Sequence, residues 1–269
     1  GFNVRNTYQF FKWLKVDFGL MGSTTKSNFN NGFAASQYLN SGAPYLNLFD
    51  EYGTPVPWDY SLYKSRYEID RLIGLGLYDE TFYPVEELRK KQQEFQSNYL
   101  KANFAFNFKI IPGISFNLMY QMENTNSRTA NLRDEDSYYQ KTIVNDATVI
   151  TNGQIKRYIP EGNYLQEQFV RVPAYTLRGQ LNINKNITKN HSINGIIGAE
   201  RSAKKSNTSL YEKWGFDKNT LQHKYVDENF LTAILTGTES LNGQFRYLPA
   251  SPIPTYKEVE DRFIAVYSN

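Results

Sequence analysis

One stretch of the chain, from Tyr99 to Glu123, alternates apolar and polar side chains over nearly its whole length. This period of two is typical of a β-strand with one apolar and one polar face, and a helix would not keep that order. Pro112 and Gly113 interrupt the alternation, and both residue types favour a tight turn. The stretch therefore predicts a long β-hairpin. Its apolar members are Leu100, Ala102, Phe104, Phe106, Phe108 and Ile110 before the turn, and Ile114, Phe116, Leu118, Tyr120 and Met122 after it.

Two features of this hairpin are unusual for a soluble sheet. Each arm alternates for about ten residues, whereas a typical strand has about five or six and a tilted strand needs about ten to cross a bilayer. The polar face carries Lys, Asn, Gln and Glu, which suit a wet lumen if the Phe-rich face meets lipid. A large soluble antiparallel sheet with one wet face is the alternative that this hairpin alone leaves open.

The order of strands and connections favours the membrane alternative. Five further segments have strand patterns, and short turns alternate with long irregular spans between them. Long structureless loops are uncommon in compact soluble domains, whereas outer-membrane barrels have short turns on one side and long loops on the other. We therefore expect an all-β fold, a seven-strand antiparallel segment of a transmembrane β-barrel with long extracellular loops. The five strands are Asn3–Phe10, Leu14–Thr24, Val170–Asn184, His191–Arg201 and Arg262–Asn269, and the long spans are Lys26–Gln96, Asn124–Gln168 and Ser202–Asp261.

Composition agrees with this expectation and excludes several other classes of protein. Hydrophobic residues make up 40% of the chain, aromatic residues 16%, and the mean hydropathy is −0.59, which is too aromatic for disorder and too polar for a helical membrane protein. A barrel escapes the hydropathy test because every second residue of its strands is polar. The net charge of +3 is spread along the chain and argues against nucleic-acid binding, and the lack of cysteine excludes disulfides and thiol chemistry.

The two ends of the sequence indicate a piece of a longer protein. The chain begins with GFNVRNTYQFF, which has no signal-peptide pattern, and ends with RFIAVYSN inside an apolar run. Seven strands with two open edges and a lipid-facing side would need further strands to close the barrel.

Five stretches together resemble the barrel of the SusC/RagA family of TonB-dependent outer-membrane transporters from Bacteroidetes. They are KWLKVDFGLMGS, APYLNLFDEYGTPV, YPVEELRKKQQEFQSNYLKANFAFNFKIIPGISFNLMYQ, HSINGIIGAERS and RFIAVYSN, and their order and spacing cover nearly the whole chain. The resemblance implies that residues 1–269 form one partial domain from the earlier-middle part of a barrel of about 22 strands. The plug, the TonB box and the C-terminal strands are not among these residues.

The resemblance also implies a function and a set of partners. Members of this family import glycans or peptides that a SusD-like lipoprotein lid holds, and TonB supplies energy through an N-terminal plug. We therefore expect an outer-membrane protein in contact with lipid, a SusD-like lipoprotein, the TonB complex and a glycan or peptide substrate, without a cofactor. A surface β-domain that binds glycans or acts as an adhesin without transport is the alternative function.

The sequence gives no support for catalysis or for a metal site. The two histidines are far apart and no cysteine accompanies them, the acidic run lacks the glycine and distal glutamate of a calcium loop, and the glycine pair lacks the Lys-Ser/Thr of a phosphate loop. Nothing marks any two carboxylates as a poised acid and base. These residues are His191 and His223, Asp134, Glu135 and Asp136, Gly74 and Gly76, and Glu86 with Glu87.

Aromatic residues in the long loops are the candidate contacts for substrate or lid. Amphipathic rings can stack on sugars or peptide side chains, although they can equally pack a loop or form an interfacial belt. The candidates are Tyr45, Tyr52, Trp58, Tyr60, Tyr63, Trp214 and Tyr225.

Overall fold

The computed structural model describes residues 1–30, 47–58, 64–188, 191–227, 229 and 255–269. Most of them form one antiparallel sheet of seven strands, in the order β1-β2-β3-β4-β7-β8-β9. The predicted all-β antiparallel fold is therefore confirmed. The strands are β1 Phe2–Phe11, β2 Leu14–Asn30, β3 Lys91–Ile111, β4 Ile114–Arg133, β5 Thr148–Thr151, β6 Gln154–Arg157, β7 Asn163–Thr188, β8 His191–Phe216 and β9 Thr255–Ser268, and the helices are α1 Arg66–Gly74, α2 Pro84–Lys90 and α3 Tyr138–Asp146.

The two ends of the sheet differ as the sequence predicts. At one end, the turn end, tight connections join β1 to β2, β3 to β4 and β7 to β8. At the other end, long connections follow β2, β4 and β8. Glycine is required at the β3–β4 turn because Gly113 has φ +87° and a Cβ there would lie 2.5 Å from the Asn184 carbonyl oxygen.

The strands extend well beyond the segments predicted from alternation. β3 and β4 have 21 and 20 residues, and β7 and β8 have 26 each. The predicted irregular spans therefore begin later than expected: Asn124–Arg133 continues β4 and Ser202–Phe216 continues β8. The predicted span Lys26–Gln96 also ends earlier than expected, because α2 ends at Lys90 and β3 begins at the next residue.

The strand register places the alternating residues of neighbouring strands on the same faces. Phe18 lies opposite Phe104, which lies opposite Tyr120, which lies opposite Leu177. Moving along the strands by two residues gives the same result at Val16, Phe106 and Leu118. The apolar band, as we call these rows, contains Leu14, Val16, Phe18, Leu20, Phe104, Phe106, Phe108, Phe116, Leu118, Tyr120, Leu177, Leu181 and Ile197.

Local signals explain the small elements inside the long connections. Ser65 and Glu68 form a reciprocal capping box at the start of α1, and the Ser137 hydroxyl caps α3 by accepting from the Gln140 N–H. Between β5 and β6, Asn152 and Gly153 both have positive φ, which is the geometry of a tight Asn-Gly hairpin turn. The spans predicted as irregular thus contain three helices and a two-stranded hairpin.

Candidate functional site

The apolar band is half-buried or exposed along its whole length in this chain. Its exposed members Tyr120, Leu177 and Ile197 keep 40%, 43% and 54% of their surface accessible. Aromatic neighbours pack along the band, with ring centroids 5.1 Å apart for Phe18 and Phe104 and 6.2 Å apart for Phe108 and Phe116. The other sheet in the described ranges is the β5–β6 hairpin, which belongs to the long connection after β4. The band is therefore an apolar surface that an external phase or partner has to cover.

The opposite face of the same strands, which we call the polar face, carries a ladder of hydrogen bonds. Arg178 Nε donates to the Tyr267 hydroxyl at 2.7 Å, and Arg178 Nη2 donates to Gln180 Oε1 at 2.6 Å. Gln180 Nε2 in turn donates to Asn182 Oδ1 at 2.6 Å. Amides of this kind keep both donors and acceptors available, so the polar face suits water or a hydrogen-bonding solute.

An ion pair and a hydrogen bond extend the polar contacts of this face to β2 and β3. Lys101 Nζ lies 3.4 Å from Glu123 Oε1, and Asn107 Nδ2 donates to Asp17 Oδ2 at 3.0 Å. All four side chains belong to rows that the sequence assigns to the polar side of the strands. The predicted division of the sheet into two chemically different faces is confirmed by this register.

A cap of helices and loops packs at the end of the sheet opposite the turns. We define the cap as residues 64–90, 134–162 and 217–227. Its main core joins α3 and the following loop to β7 and β8, where Tyr164 and Trp214 pack with ring centroids 4.4 Å apart. The other members of this core are Ile143, Val144, Ala147, Ile159 and Val226. The cap therefore has its own buried core and does not depend on the apolar band.

Glu80 ties the first long connection to α3 from inside the cap. Its side chain is fully buried and accepts from Asn145 Nδ2 at 2.9 Å and from Thr142 Oγ1 at 3.2 Å. Lys64 Nζ pairs with the second carboxylate oxygen at 2.5 Å and also lies 3.5 Å from Asp146. Because a buried carboxylate is costly without such partners, this network fixes the position of both loops.

Glu87 makes a second link between the two long connections. Its carboxylate accepts from the Tyr138 backbone N–H at 2.8 Å and lies 3.5 Å from Lys90 Nζ. Burial raises the pKa of Glu87, and the hydrogen bond from Tyr138 and the charge of Lys90 offset only part of this effect. The carboxyl group therefore holds its proton to a higher pH than an exposed glutamate.

A tyrosine–glutamate pair closes the cap against β7 and β8. The Tyr164 hydroxyl donates to Glu212 Oε1 at 2.8 Å, and Gln166 Nε2 donates to the same oxygen at 3.1 Å. Burial raises the pKa of Glu212 despite these bonds. The Arg133 guanidinium lies 3.9 Å from the Tyr139 ring centroid and 5.4 Å from that of Tyr164, so a cation covers the aromatic side of the pair.

A separate ion cluster lies on the opposite side of the capped end. Glu167 accepts from Arg128 Nη2 at 2.6 Å and from Lys213 Nζ at 2.7 Å. Burial works to raise the pKa of Glu167, but the hydrogen bonds from Lys213 and Arg128 outweigh it and hold the pKa below its ordinary value. This cluster joins β4, β7 and β8 beyond the apolar band.

The structure separates the predicted contact residues into three groups. Trp58 and Trp214 are buried against the cap at 7% and 5% exposure, Trp58 on Phe82 and Trp214 in the main core. Tyr52 and Tyr225 are exposed at 84% and 90%. Tyr45, Tyr60 and Tyr63 lie outside the described residues. Contact of any of these residues with a substrate or lid stays a prediction.

Sequence reasoning missed the residues that hold the cap together. Glu80, Glu87 and Glu212 stand in spans without a regular period, so no pattern marks the first two as buried or the third as half-buried. The S-x-x-E signature at Ser65 is the one local signal that could have located α1.

A cluster of metal ligands is not found among the described residues. No three His, Cys, Asp or Glu side chains in these ranges lie close enough to hold a metal ion. In the acidic run, Asp134 pairs with Lys218 Nζ at 2.5 Å. A helix that spans a membrane needs a long apolar run, and none of the helices in the described ranges has one.

Comparisons with known proteins give matches at the level of structure. No protein-family model matches the sequence, and no curated protein matches it. The structure of the RagAB peptide transporter matches with a TM-score of 0.62 at 15% identity, over 97% of this chain and 24% of the other. The RagAB peptide importer matches in its closed-closed state with a TM-score of 0.61 at 14% identity, again over 97% and 24% of the two chains. Its open-open state matches with a TM-score of 0.58 at 15% identity, over 99% and 24%.

These matches show the fold of the chain. Identity of 14–15% is too low to carry a function, but the match extends over almost all of the 269 residues. The chain spans about a quarter of the length of the transporter chains that it matches. The seven-strand sheet with its turns and cap therefore has an antiparallel β-sheet fold similar to one part of the RagAB transporter.

Proposed function

We propose that this chain is part of the wall of an outer-membrane, TonB-dependent transporter of the SusC/RagA type. The apolar band faces membrane lipid, and the polar face lines the lumen through which cargo passes. The cap lies on the outer side of the membrane and narrows the entrance. The turn end lies on the inner side.

The observation that carries this proposal is the agreement of strand register with side-chain chemistry. Apolar residues of neighbouring strands lie opposite one another. The row of Val16, Phe106 and Leu118, for example, crosses three strands without a polar residue, so the band continues from strand to strand. A soluble protein seldom exposes so large an apolar surface, whereas a barrel wall requires it. The similarity to the RagAB transporter structures supports the same assignment.

Peptide is the cargo that we favour over glycan. Three solved structures with a similar fold are those of a peptide transporter and a peptide importer. The polar face offers side-chain amides at Gln180 and Asn182 and charges of both signs at Lys101 and Glu123, which can satisfy the donors and acceptors of a peptide backbone. The solved structures that match this chain are transporters, and we propose no enzymatic activity.

The partners that we propose are a SusD-like lipoprotein lid and the TonB complex. The lid would meet exposed rings of the long connections. Of the predicted contact residues in the described ranges, Tyr52 and Tyr225 are the two that are exposed. TonB would act through a plug outside these 269 residues.

The alternative, a glycan-binding surface domain without transport, requires a second sheet that covers the apolar band at about 10 Å. In the described ranges the apolar band has no such cover, since the second sheet there is the short β5–β6 hairpin. We therefore place the alternative second.

Uptake in cells tests the proposal. The full-length protein carrying Tyr52→Ser and Tyr225→Ser is expressed in a deletion strain, and uptake of labelled peptide mixtures and glycans is measured along with recovery of the co-purifying lipoprotein. Tyr67→Ser is the matched control, because Tyr67 is a similarly exposed ring at 79% that lies outside the predicted contact set. We expect the double variant to lose uptake or lid binding while the control keeps both. Protein that fractionates away from outer membranes, or transport unchanged in every variant, would contradict the proposal.

A further inference from the structure

Two arginines interrupt the apolar face near the edge of the band that is closest to the cap. On β8 the residues of this face are Ile193, Gly195, Ile197 and Ala199, and the next one is Arg201. On β9 the corresponding residues are Val266 and Ile264, and the next one is Arg262. Arg201 lies opposite Ile264, and Arg262 lies opposite Ala203, so the two arginines are diagonal neighbours on adjacent strands.

Their height on the sheet corresponds to the edge of a bilayer. Arg201 is the eleventh residue of β8, which begins at His191 next to the turn end. Eleven residues of a strand tilted by about 45° rise about 25 Å, which is the height of the apolar band in outer-membrane barrels. The arginines therefore lie where lipid head groups begin, on the side of the cap.

The two guanidinium groups differ in their protein partners. Of the residues that the structure describes, none forms a hydrogen bond or ion pair with Arg201, which is exposed. Arg262 Nε and Nη2 donate to the two carboxylate oxygens of Glu260 at 2.7 and 3.0 Å, and the two side chains keep 69% and 38% of their surface accessible. This two-point geometry is stronger than that of most exposed ion pairs, so Arg201 is open to an external anion and Arg262 has to share its donors with Glu260.

A tyrosine completes the arrangement. Tyr175 lies opposite Ala203, which lies opposite Arg262, so a phenol and a guanidinium flank one small side chain in the same row. Tyrosine is enriched at membrane interfaces, and arginine binds phosphate oxygens through two parallel N–H donors.

We propose that Arg201, Arg262 and Tyr175 form a binding site for the phosphorylated head group of a membrane lipid. The site rests on the proposed function, because it requires the apolar band to face the bilayer. It adds an electrostatic anchor at one height of the wall, on the strands β7 to β9. A phosphate head group matches the site because Arg201 has no carboxylate partner among the described residues, lies at the head-group level, and stands beside an apolar surface that takes the acyl chains.

The test is a lipid-retention measurement on the full-length protein purified in detergent. Diphosphoryl lipid A and its dephosphorylated form are offered at equal concentration, and bound lipid is counted by native mass spectrometry. We expect the wild-type protein to prefer the phosphorylated lipid. The double variant Arg201→Gln/Arg262→Gln should lose about 25-fold in retention, since each basic residue near a membrane surface contributes about fivefold.

Lys204→Gln is the matched control for this variant. Lys204 is an exposed cation on the same strand, but it lies opposite Ala174 and Asp261 on the polar face. We expect retention unchanged in this control. Equal loss in the control and the double variant, or equal retention of both lipids by the wild type, would overturn the proposed site. The comparison of the two lipids on the wild-type protein tests the proposed site even if the double variant does not fold.

Insertion of the same proteins into vesicles of zwitterionic lipid separates the two proposals. Normal insertion without a preference for phosphorylated lipid would refute the binding site and leave the membrane assignment intact. Failure of the wild-type protein to insert would refute both.

Discussion

The two halves of β3 lead to two different regions of the molecule. From Leu100 to Ile111 one face is apolar and half-buried or exposed, and this half lies in the apolar band. From Lys91 to Tyr99 the strand has the sequence KQQEFQSNY, in which apolar residues no longer occupy every second position, and it leads to the cap. The band needs an apolar phase outside the chain, whereas the cap beyond this half of β3 has a core shared with β7 and β8 and buried hydrogen bonds of its own. The band and the cap therefore respond to different perturbations.

The largest effect that we expect separates the cap from the band. Glu80→Ala removes the buried acceptor of Asn145 and Thr142 and leaves Lys64 without its closest carboxylate. Breaking a buried pair in this way costs about 3–5 kcal/mol, so the amides of α3 should lose hydrogen-exchange protection. The amides of the band should keep their protection.

The control for this change is Glu86→Ala. Glu86 also pairs with a lysine, at 3.1 Å from Lys90, but its side chain is 48% exposed. Such a pair contributes at most about 1 kcal/mol. Similar losses of hydrogen-exchange protection in both variants, or a loss that spreads into the band, would show that the cap and the band are not independent.

A smaller effect should distinguish the apolar face from the polar face of the strands that form the band. Phe106→Arg places a charge on the apolar face and should cost about 2–4 kcal/mol near the middle of a bilayer. Asn107→Arg places the same side chain on the polar face beside Asp17, where it can form an ion pair, so its cost should be small. The yield of folded barrel in detergent or vesicles measures both. Equal yields would contradict the assignment of the faces.

The sequence was sufficient for the band because the band obeys a simple period. Alternation fixed the faces of Phe104, Phe106 and Phe108, and the register confirms them. The tight turn at Pro112 and the asymmetry between short and long connections were also predictable from residue type.

Alternation did not predict the parts of the strands nearest the cap. Asn124–Arg133 is polar on most positions of both faces, so the period of two disappears although the hydrogen-bonded ladder continues. The cap was not predictable either, because its order comes from contacts between residues far apart in sequence, such as Glu80 with Asn145 and Glu87 with Tyr138.

The smallest effect concerns the pH dependence of the cap. The folded-state pKa values of Glu87 and Glu212 lie above the ordinary value of 4.5 because of burial. Their contribution to stability is therefore most favourable below about pH 4.5 and is lost as the pH rises through the folded-state pKa values. Asp134 and Glu167 have lowered pKa values, so their contribution falls away only on acidification below that range.

We accordingly expect hydrogen exchange in the cap to be slower at pH 5 than at pH 8, after correction for the intrinsic rate. The double variant Glu87→Gln/Glu212→Gln should flatten this difference, while exchange in the band should show no such dependence. A double variant with the wild-type dependence would place its origin elsewhere.

The central claim is that the two faces of one strand meet lipid and water. Nitroxide labels at Phe106 and Asn107, in the full-length protein reconstituted in vesicles, measure it directly through collision with oxygen, which concentrates in the bilayer, and with a water-soluble nickel complex. We predict that the label at residue 106 is relaxed mainly by oxygen and the label at 107 mainly by nickel, with the preference reversing at each following residue of β3 through the band. Equal accessibility at both positions, or nickel access at residue 106, would contradict the account.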